Sequence, residues 1–308
     1  MQQLVRASFV LNVILGLDPP QSNGTGCQRL WSCDHGPMKS LKSYPGHCGS
    51  RAPGFQLGRK NRWPRRCMIE FVGMVVNCVD GIVPPVSANC TNLAVAGSGS
   101  ASLTNYLKMA NTTKCSKDTV NSSCFHHHHS EFGATEALTH GPCVLTTLRE
   151  PAGRLESGYR YIDMRNWKRT HKHMNSTVSR DVTYLKSTYD AKPFVNPLYG
   201  FFGIPQTAYL AGLTKGLCHK GLVQLHIICT ESLTNELSDL SKDLDISPDV
   251  HFPANRRSEA QSEELSKRSR LEPKLRSWVN NELYPLDSLL HDTFCNGRGI
   301  YDITTNIS

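Results

Sequence analysis

Three short apolar segments, each followed by a polar turn and then a helical pattern, constrain the fold of this chain more than any other feature. The segments are Leu93–Ala96, Cys143–Leu148 and Leu225–Cys229. Short apolar strands that alternate with helices are typical of a parallel sheet, because a parallel connection needs a crossover. We therefore predict an α/β fold with a doubly wound parallel sheet.

Apolar residues at spacings of three and four predict helices after the first and third strands. These residues are Leu103, Tyr106, Leu107 and Ala110 in the first helix, and Leu233, Leu237, Leu240 and Leu244 in the second. The valine-rich run Met68–Val79 is predicted as a buried strand. Trp278–Phe294 is predicted as a helix that is broken at Pro285.

The chain divides into an irregular extension, residues 1–67, and a main domain, residues 68–308. The extension is rich in glycine, proline and basic residues and has no sustained periodicity. Within the main domain, the charged segment 255–276 is predicted as an exposed loop. Residues 4–17 are apolar but short, and they are interpreted either as a weak signal or anchor segment or as a strand or buried helix.

Cysteine usage and glycosylation sequons favour the secretory pathway. Twelve cysteines without a CxxC pair fit disulfides better than a zinc ribbon or a thioredoxin-type motif. Six Asn-x-Ser/Thr sequons begin at Asn23, Asn89, Asn111, Asn121, Asn175 and Asn306. A net charge of +8 favours anionic partners such as nucleotides or acidic glycans.

The turn after the second strand is a candidate phosphate site. Arg149 stands at the carboxyl edge of that strand, and Pro151 suits the first turn of a helix. Arg149 can hold a phosphate with two N–H groups, and the Ser157 hydroxyl can add a hydrogen bond. The alternative is that Arg149 and Glu150 form a surface ion pair and that Ser157 has no special role.

A loop of small residues follows the first strand. Gly97, Ser98, Gly99, Ser100, Ala101 and Ser102 precede a predicted helix, so backbone N–H groups could hold an anion there. Many loops of this composition are only flexible turns, and the pattern alone is weak evidence.

The segment from Arg149 to Tyr159 has the form Arg-(Asp/Glu)-Pro-x-x-Arg-x-x-Ser-x-Tyr and resembles the element with which sulfotransferases hold the 3′-phosphate of their donor. The chain thus resembles Golgi carbohydrate sulfotransferases of the heparan sulfate and uronyl 2-O-sulfotransferase type, over roughly residues 93–294. The resemblance implies a three-layer P-loop sulfotransferase fold and the donor 3′-phosphoadenosine 5′-phosphosulfate. It further implies donor contacts from Arg149, Ser157 and the loop 97–102, and leaves Arg154 as a structural, donor-proximal or substrate-binding residue.

The loop departs from the family at one position. The family places a lysine, which stabilises the transferring sulfuryl group, where Gly97 or Ser98 stands, and this chain has no lysine between Asn61 and Tyr106. A lost activity, a substitute cation such as Lys108, and an error in the coding sequence are three explanations. If the activity is lost, lysine at position 97 or 98 should restore transfer.

Four consecutive histidines, His126, His127, His128 and His129, resemble the His-x-His stretch that supplies the catalytic base in these enzymes. Imidazole titrates near neutral pH and can accept a proton from a hydroxyl. Two alternatives remain, a His-rich surface loop and a metal site with His140 or Glu131 as a further ligand. We expect no metal cofactor.

The basic and aromatic run from Arg165 to His173 suits an acidic glycan, with Arg165, Lys168 and Arg169 as candidate acceptor contacts. More often such a run is a solvated face. A carbohydrate acceptor is predicted and nucleic acid is not, because the cysteines indicate an oxidising compartment. A nucleotide-binding relative without turnover is the alternative, and a P-loop kinase is disfavoured because no Gly-Lys-Ser/Thr follows the glycines.

Overall fold

The computed structural model describes residues 65–80, 90–93, 95–111, 127–128, 143–191, 198–210, 224–243 and 263–297. The apolar segment 4–17 and five of the sequons lie wholly or partly outside these residues. Asn175, which begins the remaining sequon, is exposed between two helices.

Four parallel strands form one sheet in the order β2-β1-β3-β4. The strands are β1 (Cys90–Leu93), β2 (His127–His128), β3 (Cys143–Leu148) and β4 (Gln224–Cys229). The register pairs Leu93 with Thr146 and Leu148 with Cys229. β1 begins and ends earlier than the predicted strand 93–96, whereas β3 and β4 agree with the predicted strands.

Helices connect and follow these strands. They are α1 (Arg65–Asp80), α2 (Ser100–Asn111), α3 (Pro151–Thr170), α4 (Val178–Tyr189), α5 (Gln206–Leu210), α6 (Leu233–Asp243), α7 (Glu263–Arg268), α8 (Pro273–Trp278) and α9 (Pro285–Cys295). Short 3-10 turns cover Gly200–Gly203 and Thr230–Ser232, and a π turn covers Val279–Leu283. α9 starts with Pro285 in its first turn, so the predicted helix break is confirmed.

The predicted strand Met68–Val79 is wrong, because these residues belong to the helix α1. Phe71, Val72 and Val75 lie on one helical face and are buried against the sheet and α9. Tertiary burial outweighs the weak helix propensity of valine here. α1 begins at Arg65, three residues before the predicted start of the main domain.

Part of the segment 255–276 is helical and is not the predicted exposed loop. α7 and the first residues of α8 lie within it, and Leu265, Leu271 and Leu275 are buried in a core with residues of α3 and α4. The exposed charges are arranged at helical spacing, as in the Glu263–Lys267 pair. Residues 255–262 lie outside the described part of the chain.

Candidate functional site

The loop after β1 turns sharply at two glycines. Gly97 and Gly99 have φ angles of +81° and +85°, which L side chains rarely adopt. The Gly99 carbonyl then accepts hydrogen bonds from the backbone N–H of Ser102 at 2.9 Å and Leu103 at 3.1 Å, so α2 begins at once. The turn therefore lies at the carboxyl end of β1 and leads directly into a helix N-terminus.

Ser98 anchors this loop to the sheet. Its side chain is fully buried, and its hydroxyl lies 2.7 Å from both the Val95 carbonyl oxygen and Thr147 Oγ1 of β3. Ser100 is buried and Ser102 is half-buried, while Ala101 lies in the first turn of α2. Any anion at this loop would thus meet backbone N–H groups rather than the Ser98 hydroxyl.

The loop has no room for a lysine at either position that the family resemblance suggests. A Cβ atom on Gly97 would lie 2.9 Å from Phe202 Cδ1 and 3.2 Å from Arg154 Cγ, at a positive φ angle. At Ser98 a lysine would need to place its ammonium group in the interior beside Thr147. The expectation that lysine at 97 or 98 would restore activity is therefore not supported. The alternative cation Lys108 lies eight residues into α2, about 12 Å along the axis from Ser100.

Arg149 lies at the carboxyl end of β3 and contacts the loop directly. Its Nη1 donates to the Gly97 carbonyl at 3.1 Å. Its backbone N–H donates to Gln206 Oε1 at 3.0 Å, and its carbonyl accepts from Gln206 Nε2 at 2.7 Å. Burial and then the nearby charge of Arg160 lower the pKa of Arg149, yet an arginine stays protonated at neutral pH.

Arg154 supports the loop from below. It is 2% exposed, its Nε donates to the Ala96 carbonyl at 2.7 Å, and its Nη1 lies 3.9 Å from Asp287 Oδ2. Asp287 also accepts from the backbone N–H groups of Gln206 and Thr207. Of the roles considered for Arg154, this geometry favours the structural one over an exposed contact with the acceptor.

The carboxyl end of β4 completes the arrangement. Thr230 Oγ1 lies 2.5 Å from the Ser98 carbonyl and 2.7 Å from the Leu148 carbonyl. Glu231 Oε1 accepts from the backbone N–H of Glu150 at 3.2 Å. One threonine hydroxyl thus joins the ends of β3 and β4 to the loop.

Glu150 does not form the surface ion pair with Arg149 that was the alternative interpretation of this turn. Its carboxylate is bound by Arg276 and accepts from Asn280 Nδ2 at 2.6 Å. Arg276 also contacts Glu156 at 2.9 Å. Ser157 lies half-buried on α3, next to Gly158, where Phe202 packs so closely that a Cβ would lie 2.5 Å away.

The histidine segment is described at two residues. His127 and His128 form β2, which pairs with β1 through Asn92 and Leu93, so its carboxyl end lies beside that of β1. His126, His129, His140 and Glu131 lie outside the described residues. The structure therefore brings the backbone of this segment to the same sheet edge as the loop.

The three candidate acceptor contacts lie beyond the part of α3 that packs against the loop. Arg165, Lys168 and Arg169 are exposed on the last turns of α3, about 21–27 Å along the axis from Pro151. Trp167 is 46% exposed and stacks on His173, whose Nδ1 lies 2.5 Å from the buried Asp163 carboxylate. This end of α3 is a separate basic and aromatic surface.

The sequence interpretation missed the residues that hold the site together, namely Thr147, Phe202, Gln206 and Asp287. Thr230 and Glu231 were predicted only as part of the polar turn after the third strand, without a role in the site. Their position directly after an apolar strand was the one signal that could have identified them, because the carboxyl ends of parallel strands meet at one sheet edge.

Among the described helices, none has the length and apolar character that a membrane span requires. No family model, curated protein or solved structure matches this chain. The assignment of function consequently depends on the residues and their geometry.

Proposed function

We propose that this chain has a three-layer, doubly wound fold of the P-loop sulfotransferase type and transfers a sulfuryl group from 3′-phosphoadenosine 5′-phosphosulfate to a carbohydrate hydroxyl in the secretory pathway, in the Golgi. One observation carries the proposal. The glycine turn after β1 and Arg149 after β3 meet at the carboxyl edge of adjacent parallel strands, joined by the 3.1 Å hydrogen bond to Gly97.

The chemistry of this edge suits an anionic nucleotide. Open α/β sheets bind ligands at the carboxyl ends of their strands, and the N-terminus of α2 and the glycine turn favour negative charge. The Arg149 guanidinium has five N–H donors, of which one is used for Gly97. The remaining donors suit a terminal phosphate, with Ser157 as a second contact.

In the proposed reaction an acceptor hydroxyl attacks the sulfur atom. A new oxygen–sulfur bond forms, the bond between sulfur and the bridging oxygen breaks, and the 3′,5′-bisphosphate leaves with the electron pair. A histidine among residues 126–129 takes the hydroxyl proton. Arg149 and Ser157 hold the leaving nucleotide, and Arg154 keeps the loop in place through Ala96.

The basic surface at Arg165, Lys168 and Arg169 would contact an extended acidic glycan rather than the reacting sugar. These residues lie on the last turns of α3, beyond the part of the helix that packs against the loop, which suits a polysaccharide better than a monosaccharide. The proposal includes neither a metal ion nor nucleic acid.

A second candidate function is nucleotide binding without transfer. The observation that favours it is the packing of Phe202 and Arg154 against Gly97 and of Thr147 against Ser98, which excludes the lysine that would stabilise the transferring group. Both candidates require the same donor site and differ only in turnover.

The test is calorimetric binding of 3′-phosphoadenosine 5′-phosphate to the full chain. Wild type should bind, Arg149→Ala should bind at least tenfold more weakly, and Arg180→Ala, at an exposed arginine of α4, should bind like wild type. Arg149→Lys keeps the positive charge but lacks the planar guanidinium group, so it shows whether two N–H donors in one plane are needed to hold the phosphate. Absence of binding in wild type would refute the proposed function.

Turnover is then measured with labelled donor and desulfated polysaccharide acceptors. Transfer of label supports the enzyme, and nucleotide binding without transfer supports the second candidate.

A further inference from the structure

A cluster of metal-binding side chains lies where β4 meets the end of α9. Ligand atoms of Glu231, His291 and Cys295 all lie within 4.8 Å of one another. Cys295 is bonded to Cys229, the last residue of β4, in a disulfide. Four residues with ligand chemistry therefore converge at this point.

The spacing of the four residues is that of a chelating site. His291 and Cys295 are four residues apart on α9, so they lie on one face of the helix. Cys229 and Glu231 flank Thr230 at the carboxyl end of β4. Each element thus supplies one sulfur atom and one nitrogen or oxygen atom.

The non-sulfur ligands are already oriented. His291 is 6% exposed, and its Nε2 lies 3.2 Å from Glu231 Oε2. The other oxygen, Glu231 Oε1, accepts from the backbone N–H of Glu150. Such an outer hydrogen bond fixes the carboxylate of a metal site. Cys229 is 3% exposed, whereas the Glu231 side chain is 49% exposed and leaves an entry path.

We propose that, when the disulfide is reduced, Cys229, Glu231, His291 and Cys295 bind a zinc ion in a tetrahedral site. A thiol or phosphine reductant supplies two electrons and the sulfur atoms take up two protons, which the cation displaces on binding. The two sulfur atoms then separate to about 3.8 Å, the edge of a tetrahedron with Zn–S bonds of about 2.3 Å. Two thiolates, an imidazole and a carboxylate form a ligand set that zinc favours.

The disulfide and the zinc ion are mutually exclusive, because both use the sulfur atoms of Cys229 and Cys295. Either one ties the end of β4 to α9, next to Thr230 and its hydrogen bond to the Ser98 carbonyl. Under reducing conditions zinc would therefore keep the end of β4 linked to α9, and oxidation of the two cysteines to a disulfide would release the ion.

Cobalt(II) is the probe for the test, because it replaces zinc and reports sulfur ligation through a thiolate-to-cobalt absorption band. One equivalent is added to the full chain before and after reduction. The reduced wild type should show the thiolate band and the intense visible bands of tetrahedral cobalt, and the oxidised protein should show neither. The double variant Cys229→Ser/Cys295→Ser should lose the thiolate band.

His291→Gln retains the disulfide, so its fold can be verified before reduction, and it should bind cobalt at least tenfold more weakly. His173→Gln, at a histidine paired with Asp163 on the distant end of α3, is the matched control and should behave like wild type. A reduced wild type without the thiolate band, or a double variant with the wild-type spectrum, would overturn the proposal. So would equal cobalt binding by wild type and His291→Gln.

Discussion

Arg149 donates from Nη1 to the carbonyl oxygen of Gly97 at 3.1 Å. This hydrogen bond joins the guanidinium at the end of β3 to the turn that follows β1. Arg154, which is almost fully buried, donates to the neighbouring carbonyl of Ala96. Two arginines therefore hold consecutive carbonyls of the loop, and the backbone conformation of the loop determines where Arg149 lies.

Gly97→Ala should destabilise the protein by about 2–4 kcal/mol. A left-handed backbone costs an alanine about 1–2 kcal/mol, and the contact with Phe202 Cδ1 at 2.9 Å adds overpacking. Gly200→Ala is the control, because Gly200 has a φ angle of +61° and open space around it, so only the backbone cost of about 1–2 kcal/mol applies. Denaturant unfolding measures both variants, and equal losses would contradict the packing argument.

Thr230→Val should loosen the loop, because valine has the shape of threonine but cannot bond to the Ser98 and Leu148 carbonyls. We expect a loss of about 1–2 kcal/mol and faster amide hydrogen exchange at residues 95–99. Thr234→Val, at an exposed position of α6, should leave both quantities nearly unchanged. Unaltered exchange in Thr230→Val would show that the hydroxyl does not hold the loop.

Glu231 should make stability depend on acidic pH. Burial raises the pKa of Glu231, but hydrogen bonds from His291 and backbone N–H groups outweigh burial and leave the pKa below 4.5. Because the folded state lowers this pKa, the carboxylate stabilises the protein above about pH 4.5, and the contribution disappears as the pH falls through the folded pKa.

The stability difference between wild type and Glu231→Gln should accordingly shrink from neutral to acidic pH. His291→Gln removes the partner and should weaken the same dependence. Urea unfolding across this range measures the effect, and a constant difference between wild type and Glu231→Gln would contradict it.

The basic end of α3 should bind polyanions independently of the nucleotide. The triple variant Arg165→Ala/Lys168→Ala/Arg169→Ala should bind a sulfated polysaccharide roughly tenfold more weakly, about 1.4 kcal/mol. The variant Arg180→Ala/Arg270→Ala/Lys274→Ala loses the same charge at other exposed positions and should bind like wild type. Equal weakening in both would mean that net charge alone attracts the polyanion.

The sequence alone predicted β3, β4 and the turn at Arg149, because a short apolar run that ends in a charged turn identifies a buried parallel strand. The valine-rich α1 was predicted wrongly because its twelve central residues are apolar enough for either structure, and only its packing against β4 and α9 decides. The helix α7 was missed because its single buried side chain, Leu265, is surrounded by charges.

The candidate site could be predicted from the sequence only in part. Parallel strands have their carboxyl ends at one edge of the sheet, so the Gly97 turn and Arg149 could be expected at the same edge, although the strand order β2-β1-β3-β4 could not be predicted. The burial of Arg154 and Ser98 could not be predicted from the sequence, because it depends on contacts with Asp287 and Thr147, which are distant along the chain. Local pattern therefore identified which residues carry charge but not which of them face a ligand.

The Cys229–Cys295 bond acts on the unfolded chain as much as on the folded one. Its ends are 66 residues apart, and α6, α7, α8 and α9 all lie within the closed ring. Closing a ring of this size lowers the entropy of the denatured ensemble by an amount worth about 4 kcal/mol in the chain-entropy description. The C-terminal helices can thus be individually short, because the ring already limits the conformations available to them before any of their contacts form.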